Sequence, residues 1–184
     1  MKSIIGITGA FGSGKSTAAA IIESQGYKKI YLSSFLEQEA LEKALPMTRK
    51  TLQDLGNQIR ERKGPGELMR MALKSVAKEE RVVIDGLRNL GEVEELKKHG
   101  GYLLAIVADR KVRYERLRVL KRRELLNQTL FRSLDLRDLG VNERITGLQT
   151  GLCIALADVF IDSNRSMGAF KKDVLKFLKE YGRQ

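Results

Sequence analysis

Gly9-Ala10-Phe11-Gly12-Ser13-Gly14-Lys15-Ser16, running on into Thr17, is the stretch from which the rest of this chain is read. It fills the spacing G-x-x-x-x-G-K-S/T at every fixed position. Before it stands Ser3-Ile4-Ile5-Gly6-Ile7-Thr8, an apolar run of the length of a buried strand. After it, Ser16 to Gln25 carries Ala18, Ala19, Ala20, Ile21 and Ile22, and Gly26 falls where a helix would be capped. Strand, loop and helix in this order form the context in which the spacing cradles a nucleotide's phosphates. Gly9, Gly12, Ser13 and Gly14 would turn backbone amides around the phosphates, and Lys15 would reach the β- and γ-phosphates. Ser16 would place its hydroxyl on Mg²⁺, and the helix through Thr17 would point its positive end at the anion.

Working outward, the punctuation alternates strands with helices. Tyr27 to Leu32 reads as a short strand, with Ser33 or Ser34 as N-cap of a helix over Phe35 to Leu45 that Pro46 ends. Thr48 caps a further helix through Arg62, with Leu52, Leu55 and Ile59 on one face. Gly64-Pro65-Gly66 breaks the chain before a helix over Glu67 to Lys78. Arg81 to Gly86 and Tyr102 to Ala108 are buried strands flanking a helix from Asn89 to His99. A basic helical segment follows, then a polar stretch from Asn127 to Thr150, a last strand from Ala157 to Asp162, and a helix from Met167 to Tyr181. Strands joined by helices predict an α/β fold: a five-stranded parallel sheet with helices on both faces, in three layers. Ligands in such a sheet bind beyond the carboxyl ends of the strands, which puts the Gly-rich loop, Ser33, Asp85, Asp109 and Asp162 on one rim.

A chain of 184 residues with 42% apolar and 31% charged side chains is of a size and composition for one globular domain. No apolar run approaches the ~20 residues of a membrane span, and no signal segment precedes the first strand, so a cytoplasmic protein is expected. Cys153, the only cysteine, lies in an apolar stretch and reads as a small buried hydrophobe. His99, the only histidine, closes a helix and suits its dipole; one His and one Cys make no zinc site. The formal charge of +11 leaves nucleic acid open as a partner. Its clustering from Arg110 to Arg123, followed by Arg132, Arg137 and Arg144, favours a small phosphorylated ligand.

Asp85 ends an apolar strand where an acid can hold Mg²⁺ or its water, and Arg88 faces the same rim with a planar fork for a second phosphate. At this point the chain resembles the nucleoside monophosphate kinases. Asp85-Gly86-Leu87-Arg88 is similar to the Asp-Gly-(Phe)-Pro-Arg turn of adenylate kinases. The nearer resemblance is to dephospho-coenzyme A kinase-like and archaeal adenylate-kinase-like proteins, and to the kinase-like domains beside some deoxycytidylate deaminases. It rests on Arg49-Lys50-Thr51-Leu52-Gln53-Asp54-Leu55-Gly56-Asn57-Gln58-Ile59-Arg60, on Val83-Ile84-Asp85-Gly86-Leu87-Arg88-Asn89-Leu90-Gly91-Glu92-Val93, and on Arg113-Tyr114-Glu115-Arg116.

The resemblance implies MgATP as donor, with GTP left open, and a small nucleotide as acceptor. It implies an acceptor-binding insertion from Ser33 to about Ala72, with Ser33, Arg49, Arg60 and Arg88 toward the acceptor, and a helical lid from about Arg118 to Arg144 that brings Arg137. Arg113 would bind the donor and Arg116 would be catalytic beside Lys15, Asp85 and Arg88, both near the rim. Asp162-Ser163-Asn164-Arg165 stands where relatives place an Asn-x-Gly turn beside the adenine, which makes Asn164 a donor contact. Tyr31-Leu32-Ser33-Ser34 stands where dephospho-coenzyme A kinases carry an aspartate, so no carboxylate is expected there. A phosphate acceptor needs no base and an alcohol does, which tilts the expectation toward a nucleoside monophosphate over dephospho-coenzyme A. A nucleotide-gated module for RNA is the non-enzymatic alternative.

Overall fold

Strands that are apolar on both faces need cover on both, and the chain supplies it by returning through a helix after each strand. The computed structural model describes residues 2–120 and 125–182. Its elements are β1 (Ser3–Thr8), α1 (Lys15–Glu23), β2 (Lys28–Tyr31), α2 (Leu32–Glu42), α3 (Arg49–Lys63), α4 (Glu67–Ser75) and β3 (Arg81–Leu87). There follow α5 (Leu90–Lys98), β4 (Tyr102–Val107), α6 (Arg110–Val119), α7 (Gln128–Leu139), α8 (Thr150–Ala155), β5 (Val159–Asp162) and α9 (Met167–Tyr181). The sheet is parallel throughout in the order β2-β3-β1-β4-β5. This is the expected five-stranded α/β sheet. Lys121, Arg122 and Arg123 of the basic cluster lie outside the described residues.

Alternate strand residues divide the core in two. Ile4, Val82, Ile84 and Leu103 face the side covered by α2 to α5. Ile5, Ile7, Val83, Leu104 and Ile106 face α1 and α9. Gly6 lets α5 close on β1, since a Cβ there would stand 2.5 Å from Leu96 Cδ2. A third, smaller cluster joins Phe11 of the Gly-rich loop to Leu126, Phe131 and Leu134, so α7 packs on that loop. Phe11 and Phe131 meet with ring centroids 5.3 Å apart.

Helix α2 starts earlier than expected. Leu32 and Leu36 both bury toward the sheet, and their packing draws the helix start back to Leu32. Tyr31, in extended conformation, is the N-cap; Ser33 and Ser34 lie in the first turn, where Ser34 Oγ donates to Tyr31 O at 2.7 Å. The helix also ends before Leu45. Ala44 takes a φ of 51°, and the N–H groups of Ala44 and Leu45 close on Leu41 O and Ala40 O, so Pro46 follows an end already made. Thr48 caps α3 as expected, its side chain accepting from Thr51 N–H. Asn89 and Glu92 form a capping box at α5. Cys153 is buried, which pushes its thiol pKa up, away from nucleophile chemistry. Among the described residues no helix is long and apolar enough to cross a membrane.

Candidate active site

The loop between β1 and α1 takes its shape from glycine. Gly9, Gly12 and Gly14 have φ of 143°, 82° and 101°, and a Cβ on Gly9 would lie 2.2 Å from Ile106 O. Gly14 is the N-cap of α1 and brings no side chain to its first-turn amides, which leaves that helix end suited to an anion. Lys15 folds back over the loop, donating to Gly9 O at 2.7 Å and Ala10 O at 3.0 Å. Burial, and then the positive charge of Arg88, lower its pKa to about 8, against a raising pull from Asp85.

Across from the loop, β3 ends in a bulge. Ile7 pairs with Asp85 but Thr8 pairs with Leu87, and Gly86, at φ 102°, is the residue passed over. Asp85 thus stays beside α1, where its Oδ2 accepts from Ser16 Oγ at 2.9 Å. Its Oδ1 is buried with no hydrogen-bond partner among the described residues. Desolvation raises the Asp85 pKa, partly offset by Lys15 and Ser16.

A cavity of about 450 Å³ opens from this corner. Gly12, Lys15, Ser16 and Asp85 line it beside Ser33, Arg49, Arg60 and Arg88. Eight of the residues singled out in the sequence therefore line one cavity. Arg49 lies over the Phe11 ring, 5.7 Å from its centroid. Arg60 is 2% exposed; its Nε donates to Glu92 Oε1 at 2.9 Å, and Nη2 forms an ion pair with the same oxygen at 2.9 Å. Arg88 Nη1 donates to Asp138 Oδ1 at 2.6 Å.

The other arginines lie elsewhere. Arg113 is buried, forks onto the Asp135 carboxylate and donates to Phe11 O at 3.1 Å, so it braces α6, α7 and the loop against one another. Arg116 donates to Ser163 Oγ at 2.9 Å and Ser163 O at 2.5 Å, while Ser163 Oγ donates to Ser13 O. Asn164 accepts from Asp109 N–H at 2.9 Å on the same side of the loop. Arg137 ties α7 to α3 through Asp54 at 2.7 Å and also meets Glu143 at 2.6 Å; these partners raise its pKa against the effect of burial. Arg113, Arg116, Arg137 and Asn164 do not line the cavity.

Three residues that the sequence leaves without a role stand with these at the candidate site. Glu37 lines the cavity one turn along α2 from Ser33, a spacing that could have shown it. Gln53 stands four residues after Arg49 on the same face of α3. Asp138, three residues beyond Asp135, accepts from both Arg88 and the Phe11 N–H, the latter at 3.2 Å.

A strand, a glycine-rich loop and an uncapped helix end, with an acid from the adjacent strand against the first-turn serine, make this a P-loop nucleotide-binding fold of the kinase-like kind. Residues 5–126 match the AAA domain family. The chain is 35% identical over 177 residues to the UPF0200 protein of Sulfurisphaera tokodaii, covering 96% of each chain, and it belongs to that family. In fold it is similar to shikimate kinase from Bacteroides thetaiotaomicron (TM-score 0.60, 19% identity, 97% of each chain covered). A gluconokinase from Sinorhizobium meliloti has a TM-score of 0.59 at 18% identity, over 97% of this chain and 92% of that one. At such identities the likeness is one of fold.

Proposed function

We propose that the protein transfers a phosphoryl group from MgATP to a nucleoside monophosphate. The observation that carries this reading is the cavity that runs from Lys15, Ser16 and Asp85 to the guanidinium groups of Arg49 and Arg88. It offers a triphosphate cradle and a second set of phosphate-binding groups within one enclosure. Residues 33–72 would then receive the acceptor, and the segment from 118 to 144 would cover the donor.

The donor set fits Mg²⁺: a hydroxyl, and a buried carboxylate with one oxygen unpartnered. Bound by Ser16 and Asp85, the ion would offset charge on the donor's phosphates. Lys15 and the loop amides align the β- and γ-phosphates. Arg88 and Arg49 hold the acceptor phosphate in line, with Arg60 adding charge from behind its bond to Glu92. An acceptor phosphate oxygen bonds to the γ-phosphorus as the bond to the β,γ-bridging oxygen breaks, and ADP leaves. The acceptor is ionised at neutral pH, so the step requires no general base. Arg116 and Asn164 would act from the far side of the loop, at the donor's nucleoside.

A coupled ADP-release assay over the common ribo- and deoxyribonucleoside monophosphates, with ATP and GTP as donors, tests the reading. Acceptor-dependent turnover is expected; its absence across the panel would overturn it.

One observation favours a second reading. Glu37, one turn along α2 from the Ser33 position that lacks the expected aspartate, brings a carboxylate into the cavity wall, and it could serve an alcohol acceptor such as dephospho-coenzyme A as a base. Transfer to that hydroxyl matching any monophosphate, and lost in Glu37→Gln, would put the alcohol reading first.

A further inference from the structure

Helix α3 presents one continuous face to the cavity, Arg49, Leu52, Gln53, Gly56 and Arg60. The arginines suit phosphate; an uncharged amide does not, and phosphoryl transfer leaves Gln53 without a task. Gln53 is only 7% exposed. Its Nε2 donates to Leu134 O of α7 at 3.4 Å. The opposite orientation would set two carbonyl oxygens against each other, so chemistry decides which end of the amide is which. Its Oε1 is then left buried with no hydrogen-bond partner among the described residues. Asp85 Oδ1, which lines the same cavity, is in the same condition, and there the proposed Mg²⁺ would satisfy it. For a neutral amide oxygen the complement is a hydrogen-bond donor, which the edge of a nucleobase supplies as N–H, because leaving such an acceptor unpaired is unfavourable.

The surroundings say what carries that donor. Leu36, Leu52, Leu68 and Leu134 supply apolar walls. Gly56 keeps the face of α3 low between Gln53 and Arg60, where a Cβ would stand 3.2 Å from Arg60 Nη1. A flat ring with a polar edge fits such a slot, while its phosphate reaches the arginines.

We infer that Gln53 reads the acceptor's base, and that this base bears an exocyclic amino group, as in an adenine or cytosine nucleotide. This rests on the reading of the cavity as the acceptor site. An amino group donates to Oε1. The oxo group of hypoxanthine or uracil in the same place sets oxygen against oxygen, and the site rejects it.

Calorimetric binding of AMP against IMP, and of CMP against UMP, to the wild-type protein, Gln53→Met and Gln53→Glu tests this. Each pair differs in amino against oxo at constant ring size. The wild type is expected to favour the amino member of the pair it accepts by roughly ten- to a hundredfold, the size of one buried acceptor left unpaired. Gln53→Met, close in shape, should bring that ratio to within about threefold with its melting transition intact. Gln53→Glu retains an acceptor oxygen and should retain the preference. Equal binding by the wild type, no binding of any of the four, or a ratio unchanged in Gln53→Met overturns the inference; should Gln53→Met fail to fold, the wild-type ratio and Gln53→Glu decide. The preference in binding without ADP release from any monophosphate would instead leave Gln53 as base reader and remove the phosphoryl-acceptor reading.

Discussion

Asp138 couples Arg88 to the P-loop: one carboxylate oxygen accepts from Arg88 Nη1 at 2.6 Å, and the other accepts from the Phe11 N–H at 3.2 Å. The residue that would align the acceptor and the loop that would hold the donor thus share one fully buried carboxylate on α7. Asp138→Asn keeps the shape but offers only one oxygen, so one contact must go. We expect a loss of about 1–3 kcal/mol in stability, as for a hydrogen bond to a charged group, by denaturant titration. Acceptor KM should rise about tenfold or more, and ATP binding should change less.

Lys15 should set a pH dependence of two opposite signs. Its pKa in the folded protein is about 8, below the ordinary 10.5. Between those values the unfolded chain binds more protons at this group than the folded one, so its contribution to stability rises with pH through that window. Triphosphate binding needs the charged form, so ATP affinity should fall above about pH 8 and binding there should take up a proton. Calorimetry in two buffers of different ionisation enthalpy reads that proton. Lys15→Met should melt no lower than wild type at pH 7, yet lower kcat by at least ~10²-fold, as for loss of a preorganised electrostatic donor.

Asp85 carries a raised pKa because it is buried. Asp85→Asn removes a charge that folding must desolvate, so the melting temperature of the nucleotide-free protein should be no lower. Turnover should fall by ~10²-fold or more, and the Mg²⁺ concentration for half-maximal rate should rise. A variant with unchanged Mg²⁺ dependence would remove Asp85 from the metal site.

Arg113 and Arg116 belong to one sequence phrase but should fail differently. Arg113→Ala takes the fork from Asp135, which is fully buried, and should cost about 3–5 kcal/mol in urea unfolding. Arg110, which also reaches Asp135 at 2.9 Å, would soften that loss. Arg116→Ala breaks contacts to Ser163 in a half-buried setting; it should cost about 1 kcal/mol and weaken ATP binding instead.

Local regularities made the frame legible. An eight-residue motif that runs from an apolar strand into a helix states its own geometry, because the positive φ of Gly9, Gly12 and Gly14 is set locally, by residues adjacent in the chain. Asp85 and Arg88 followed from standing at the end of an apolar run, and the parallel sheet followed from alternation of such runs with helices. The start of α2 escaped because burial of Leu32 and Leu36 outweighed the capping preference of two serines.

By itself, then, the sequence determined the P-loop, the parallel α/β frame and the rim on which Lys15, Ser16, Asp85 and Arg88 meet. Only the tertiary structure decided what each arginine does. Arg113 pairs with Asp135, 22 residues away, and Arg137 with Asp54, both off the cavity, while Arg49, Arg60 and Arg88 line it, Arg60 paired with Glu92 and Arg88 with Asp138. Side chains of this length can reach any carboxylate within several ångströms, and which carboxylate that is depends on how helices pack. Spacing along the chain records which residues share a face of one helix; it carries no record of which face another helix brings against it.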